Sequence, residues 1–224
     1  MAIILNIDTA VDSASICLAC DNIVIDECQN PEERESGSWL HIAIDNLLKK
    51  NKYTLTDIDA IAVSMGPGSY TGLRVSMATA KGLCYALSIP LISISTLQMM
   101  AAAIKDLSTS LLCPMIDARR MEVFYAIYTK DLQTWVKPTN AIVDNQWLLD
   151  ELASNTISFF GNGSHKVAKL IQHPNAFFIS SHHSAKDMVS LSIKKYELNQ
   201  FSDLAYAEPF YGKAFYSTIS KKIY

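Results

Sequence analysis

Gly66-Pro67-Gly68-Ser69-Tyr70-Thr71-Gly72-Leu73-Arg74 follows an apolar run, Ile58 to Met65, and precedes a stretch with helical spacing. It therefore reads as a loop joining a buried strand to a helix. Glycine supplies φ > 0 or a close backbone approach, proline fixes one φ, and Ser69 or Thr71 can cap the amides that open the helix. Gly68 is the position expected to take the left-handed conformation. Such a loop either holds an anion at the helix N-terminus, with Gly66, Gly68, Ser69, Thr71, Gly72 and Arg74 as the candidate residues, or is a rigid corner that aims the helix. Loop chemistry alone leaves both readings open.

Before this corner, alternating and apolar runs predict strands at Ala2 to Ile7, Ser15 to Cys20 and Ile23 to Cys28, then a helix at about Ser38 to Lys50. After it come a helix from Thr71 to Leu87 and a strand from Leu91 to Ser95. Hairpins followed by strand-helix alternation give an α/β fold, a mixed sheet flanked by helices. The pattern then restarts: Leu111 to Asp117 is an apolar strand ending in Asp, with Val123 to Tyr128 behind it, as Ile3 to Asp8 is followed by Ser15 to Cys20. A repeated strand-Asp-turn-strand unit resembles the two-lobed layout of the actin and Hsp70-like (ASKHA) superfamily. On that layout residues 1–103 form an N-terminal lobe and 104–224 a smaller C-terminal one, with the boundary near Ala103 to Ser110. Helical stretches near Ser164 to Gln172 and Ala185 to Tyr196 leave too little chain for a full second lobe, so a truncated one is expected.

With 224 residues, half of them hydrophobic, the chain can bury a sizeable core. It opens without the basic start of a signal peptide and has no apolar run of spanning length, so a cytoplasmic protein without a membrane anchor is expected. Five cysteines without a repeated framework fit a reducing compartment. Cys17-Leu18-Ala19-Cys20 matches C-x-x-C in spacing, but on a strand those two residues point to opposite faces and read as core. A net charge of −3 argues against an autonomous nucleic-acid binder. Arg119-Arg120, Lys194-Lys195 and the tail residues Lys213, Lys221 and Lys222 are the small basic groups.

Four motifs carry a family resemblance: Ile7-Asp8-Thr9, the Gly66 to Arg74 loop, Ile94-Ser95-Thr96-Leu97, and Ile116-Asp117-Ala118-Arg119 followed by Glu122-Val123. On these the chain resembles the TsaB family, non-catalytic subunits of the bacterial complex that makes N6-threonylcarbamoyladenosine in tRNA. The resemblance covers nearly the whole chain and is strongest over residues 1–130. It implies a scaffold, without a cofactor, that forms a heterodimer with TsaD and joins the ATPase TsaE to modify A37 of tRNAs reading ANN codons. It also implies that tRNA is contacted mainly through the complex; a homodimer through the same helices is left open as an alternative state of the chain when alone. TsaD carries a metal-binding His-x-x-x-His that aligns with Thr96 and Met100, and a hydroxyl and a thioether cannot replace two imidazoles around a hard cation. No metal site is expected.

Asp8 and Asp117 stand where superfamily members orient a nucleotide-bound metal, which makes Asp8, Thr9 and Asp117 a candidate residual nucleotide site. Residues 9–13 contain no glycine to bring amides to a phosphate, so a structural cap is the favoured role for Asp8. His41 and Asp45, four apart on a helix, and His182-His183 each give at most half a metal site. There is no Gly-x-Ser-x-Gly elbow, and the cysteines fall in core strands, so nucleophilic catalysis has no support.

The helix after the glycine loop is the most informative. Leu73, Met77, Ala80, Leu83, Cys84 and Leu87 make the expected core stripe. The other side carries Val75, Ala78, Thr79, Gly82 and Ala86, small residues that let a second helix approach closely. Trp39 and Ile42, outside the core arc of the preceding helix, extend this candidate partner interface. The rivals are burial under the chain's own second lobe, a homodimeric binding module, and a free-standing ASKHA-type kinase or metallopeptidase.

Overall fold

A computed structural model describes residues 1–11, 13–31, 36–105 and 108–213; Lys221, Lys222 and positions 106–107 of the expected lobe boundary lie outside the described residues. The first sheet holds β1 (Ile3–Asp8), β2 (Ser15–Cys20), β3 (Ile23–Gln29), β4 (Ala60–Gly66) and β5 (Leu91–Ser95), in the order β3-β2-β1-β4-β5. Side chains alternate across its central strands, and both faces are apolar because both are covered. Leu5, Ile7, Ile16, Leu18, Ile61 and Val63 face two long helices, α1 (Ser36–Lys50) and α2 (Tyr70–Leu87). Ile4, Ala60, Ala62, Ile92 and Ile94 face Met99 of α3 (Thr96–Ala102) and Met188 and Ile193 from further along the chain.

The second sheet repeats the first. Its strands β6 (Leu111–Asp117), β7 (Glu122–Thr129), β8 (Thr134–Ile142), β9 (Ile157–Phe160) and β10 (Ala176–Phe178) run in the order β10-β9-β6-β7-β8. The senses match pair by pair: β1 is antiparallel to β2 and parallel to β4, as β6 is to β7 and β9. The truncation expected of this lobe thus falls on its helices. Between β9 and β10 stands only the single turn α5 (Ser164–Val167), where the first lobe has the 18-residue α2. The sequence spacing predicts a helix as far as Gln172, whereas the helix ends at Val167. Leu152 of α4 (Leu149–Ser154) covers one face of the second sheet, and Leu97, Met100 and Ala101 of α3 cover the other, so α3 is the joint between the sheets.

Residues 185–213 do not stay with the second sheet. A 3-10 turn at Ala185–Met188 and α6 (Val189–Glu197) close the open face of the first sheet. The chain then runs beside α2: Ser202 bridges Leu91, Lys81 donates to the carbonyls of Ala205 and Ala207, and Phe210 N–H donates to Met65 O at 2.7 Å. It reaches the second sheet where Gly212 lies against the Phe124 ring and Lys213 pairs with Glu122.

Candidate functional site

The glycine loop is a packed corner. Ser69 is the N-cap of α2, its hydroxyl accepting from Gly72 N–H at 3.2 Å while its own N–H donates to Ala10 O at 2.6 Å. A Cβ on Gly68 would overlap the Ala10 carbonyl oxygen, and one on Gly72 that of Thr9. The left-handed glycine is Gly66, φ +116°, and Gly68 is needed for close approach instead. Two amides that an anion would use are therefore already engaged. Thr71 is exposed, and the exposed Arg74 lies 4.1 Å over the Tyr70 ring and donates to Tyr211 Oη at 3.0 Å.

Asp8 is 1% exposed; its carboxylate accepts from Ala10 N–H at 3.0 Å and from Ser64 Oγ at 2.5 Å. Thr9 Oγ1 donates to Gly72 O at 2.6 Å. Asp117 repeats the turn, accepting from Arg119 N–H at 2.6 Å, and adds an ion pair with Lys166 at 2.6 Å. Burial pushes its carboxyl up, but the Lys166 and Arg119 hydrogen bonds leave it below the usual carboxylate value. Asp117 lines a cleft of about 510 Å³ between the lobes, with Gly68, Thr71, Arg119 and Asn162. Asp8 does not reach that cleft, so the two carboxylates are not brought together.

The helix pair sorts the remaining candidates. Ala78, Gly82 and Ala86 are exposed, and a Cβ on Gly82 would meet nothing within 4 Å. This stripe lies between α1 on one flank and the C-terminal segment at Lys81 on the other. Thr79 is buried against α1, with Oγ1 3.5 Å from His41 Nε2, and Val75 is half-buried near Gly37. Trp39 and Ile42 line a hollow of about 240 Å³ on the β3 side of α1, away from α2, although Ile42 is 64% exposed. Sequence reasoning missed a larger apolar groove of about 440 Å³, floored by Ile44, Leu48, Tyr53, Leu55 and Leu83. Its signal was Leu83, placed on the core stripe yet only half-buried. Asp45 pairs with Lys49 rather than completing a site with His41. Thr96 and Met100 are buried in α3. Burial pushes the Cys17 thiol up to about 12, in keeping with a core residue.

A family model described as TsaD: tRNA N6-adenosine threonylcarbamoyltransferase matches residues 30–215. The chain is 32% identical over 177 residues to the tRNA threonylcarbamoyladenosine biosynthesis protein TsaB of Buchnera aphidicola subsp. Baizongia pistaciae, covering 75% of this chain and 78% of that protein. The chain belongs to the TsaD family and, within it, to the TsaB proteins. TsaB of Escherichia coli is 37% identical over 133 residues, which are 57% of this chain and 55% of that protein, so the match spans about half of that relative's length. YeaZ from Pseudomonas aeruginosa superposes with a TM-score of 0.78 at 25% identity, over 94% of this chain and all of that one. The ADPNP-bound activator of 2-hydroxyisocaproyl-CoA dehydratase from Clostridium difficile gives a TM-score of 0.51 at 7% identity, over 88% and 97%, a likeness of fold alone. The TsaB architecture is thus the two-lobed ASKHA fold. No helix among the described residues is long and apolar enough to cross a membrane.

Proposed function

We propose that the chain is a non-catalytic subunit of the cytoplasmic machinery for N6-threonylcarbamoyladenosine, pairing with TsaD through the exposed face of α2, with TsaE joining the pair. The observation that carries this reading is the uncovered stripe Ala78, Gly82 and Ala86: among the described residues, neither the second lobe nor the C-terminal segment closes over it. Small side chains let helix backbones approach closely. The relatives' names support the pathway, and the exposure of the stripe supports the face. The groove beside the stripe gives a partner's large apolar side chain a place to enter, and Trp39 and Ile42 on the far flank of α1 form a secondary contact. Asp8 and Thr9 are assigned structural roles, since their polar atoms hold the turn against β4 and α2.

A free-standing metalloenzyme is disfavoured by the buried Thr96 and Met100, a hydroxyl and a thioether that do not replace two imidazoles. The test is reconstitution with tRNA and the threonylcarbamoyl adenylate donor. The chain alone is expected to give no modified adenosine, and the chain with TsaD and TsaE to give it; product from the chain without TsaD would contradict the assignment.

A further inference from the structure

Most lysines with a described partner, among them Lys49, Lys50, Lys166, Lys186 and Lys213, meet a carboxylate. Lys195 on α6 does not. Its Nζ donates to a single backbone carbonyl, Ser93 O at 2.7 Å, on the edge strand of the first sheet, and no carboxylate pairs with it among the described residues. The side chain is half-buried and lines a hollow of about 390 Å³ where α6 and α3 meet the β7–β8 turn. Gln98, Gln133 and Ser190 offer hydrogen-bond donors there, and Asp131 and Lys194 are the other charged residues on its walls.

We propose that Lys195 is a site of acylation by small acyl phosphates, with the hollow admitting the reagent and holding the added acyl group. Burial disfavours the ammonium form and pulls the amine below the usual lysine value, with Asp131 on the wall of the hollow forming no ion pair with it, so more of it is neutral and nucleophilic. The Nζ lone pair attacks the acyl carbon, the carbon-oxygen bond to phosphate breaks, and phosphate leaves with that electron pair. The new nitrogen centre releases a proton to solvent, and no oxidation or reduction occurs. The product amide keeps one N–H to donate to Ser93 O, so the fold is retained while one positive charge is lost.

The intact chain is treated with acetyl phosphate at neutral pH and acetylation is followed site by site by mass spectrometry, with the exposed neighbour Lys194 as internal control. Lys195 is expected to react severalfold faster than Lys194, the preference narrowing as the pH rises toward the ordinary lysine pKa of about 10.4. The Lys195→Arg variant, which keeps charge and donor, is expected to melt as the parent does and to lose the adduct. Equal or faster reaction at Lys194, labelling of Lys195 only in urea, or persistence of the adduct in Lys195→Arg would each overturn the proposal.

Discussion

Gly68 and Gly72 show how single residues fix the corner. Each brings the loop against a carbonyl of the β1–β2 turn, at Ala10 and Thr9, and leaves no room for a Cβ. Gly68→Val is therefore expected to lower stability by about 1 to 3 kcal/mol or more, as overpacking does. A urea midpoint equal to the parent's would contradict the packing. Lys166 plays the matching part in the second lobe, where Arg119 and Arg120 hold φ of +68° and +49° and Lys166 donates to Asp117 and to the Arg120 and Glu122 carbonyls. Lys166→Met is expected to cost about 1 to 3 kcal/mol near neutral pH. Because the Asp117 side chain is 46% exposed, the ionic share of that cost is small. A carboxyl with a depressed folded pKa adds stability above its unfolded pKa of about 3.9, lost as pH falls through the folded value. The variant's stability should therefore fall less steeply with acid below about pH 4; an unchanged acid limb in pH-resolved urea titrations would contradict the Asp117 assignment. The sequence showed that glycines mattered at 66–72 but not which one is left-handed. Gly66 is also crowded by the carbonyl of Phe210, from a segment 144 positions away that local sequence does not reveal.

At the scale of elements, the two faces of α2 should answer mutation oppositely. Leu73 is fully buried, so Leu73→Ala is expected to cost about 2 to 5 kcal/mol. Gly82 is an exposed helix-interior glycine, and Gly82→Leu should gain up to about 1 kcal/mol in helix propensity. Thermal unfolding of the isolated variants checks both, and a destabilised Gly82→Leu would mean that the stripe is internal packing. The helix itself was legible because its apolar spacing, Ser69 cap and glycine loop agree. Its flanks were not. Thr79 looks like a seam residue on a helical wheel and is buried only because α1 lies over it. Strands β8, β9 and β10 were also missed: β8 carries Lys137 and Pro138 on a sheet edge, and β9 and β10 have only four and three residues. Such short runs give little periodic signal.

For the whole molecule, two sheets of one topology were foreshadowed by the repeat of Asp8 and Asp117, whereas the return of residues 185–213 to the first lobe left no mark in composition or spacing. That return makes the lobes interdependent. A chain ending at Gln200 loses the Phe210 bond to Met65, the Lys81 contacts and the Tyr211 partner of Arg74. Amides of residues 66–73 should then exchange faster with solvent, and unchanged exchange would show that the segment does not brace the corner. The central claim, that this TsaB chain works by presenting α2 to TsaD, is tested most directly by calorimetric titration of TsaD with the parent and with Gly82→Leu. The parent should bind, and the folded Gly82→Leu chain should bind roughly fivefold to a hundredfold more weakly, as about 1 to 3 kcal/mol of overpacking implies; equal affinity for the two would contradict it.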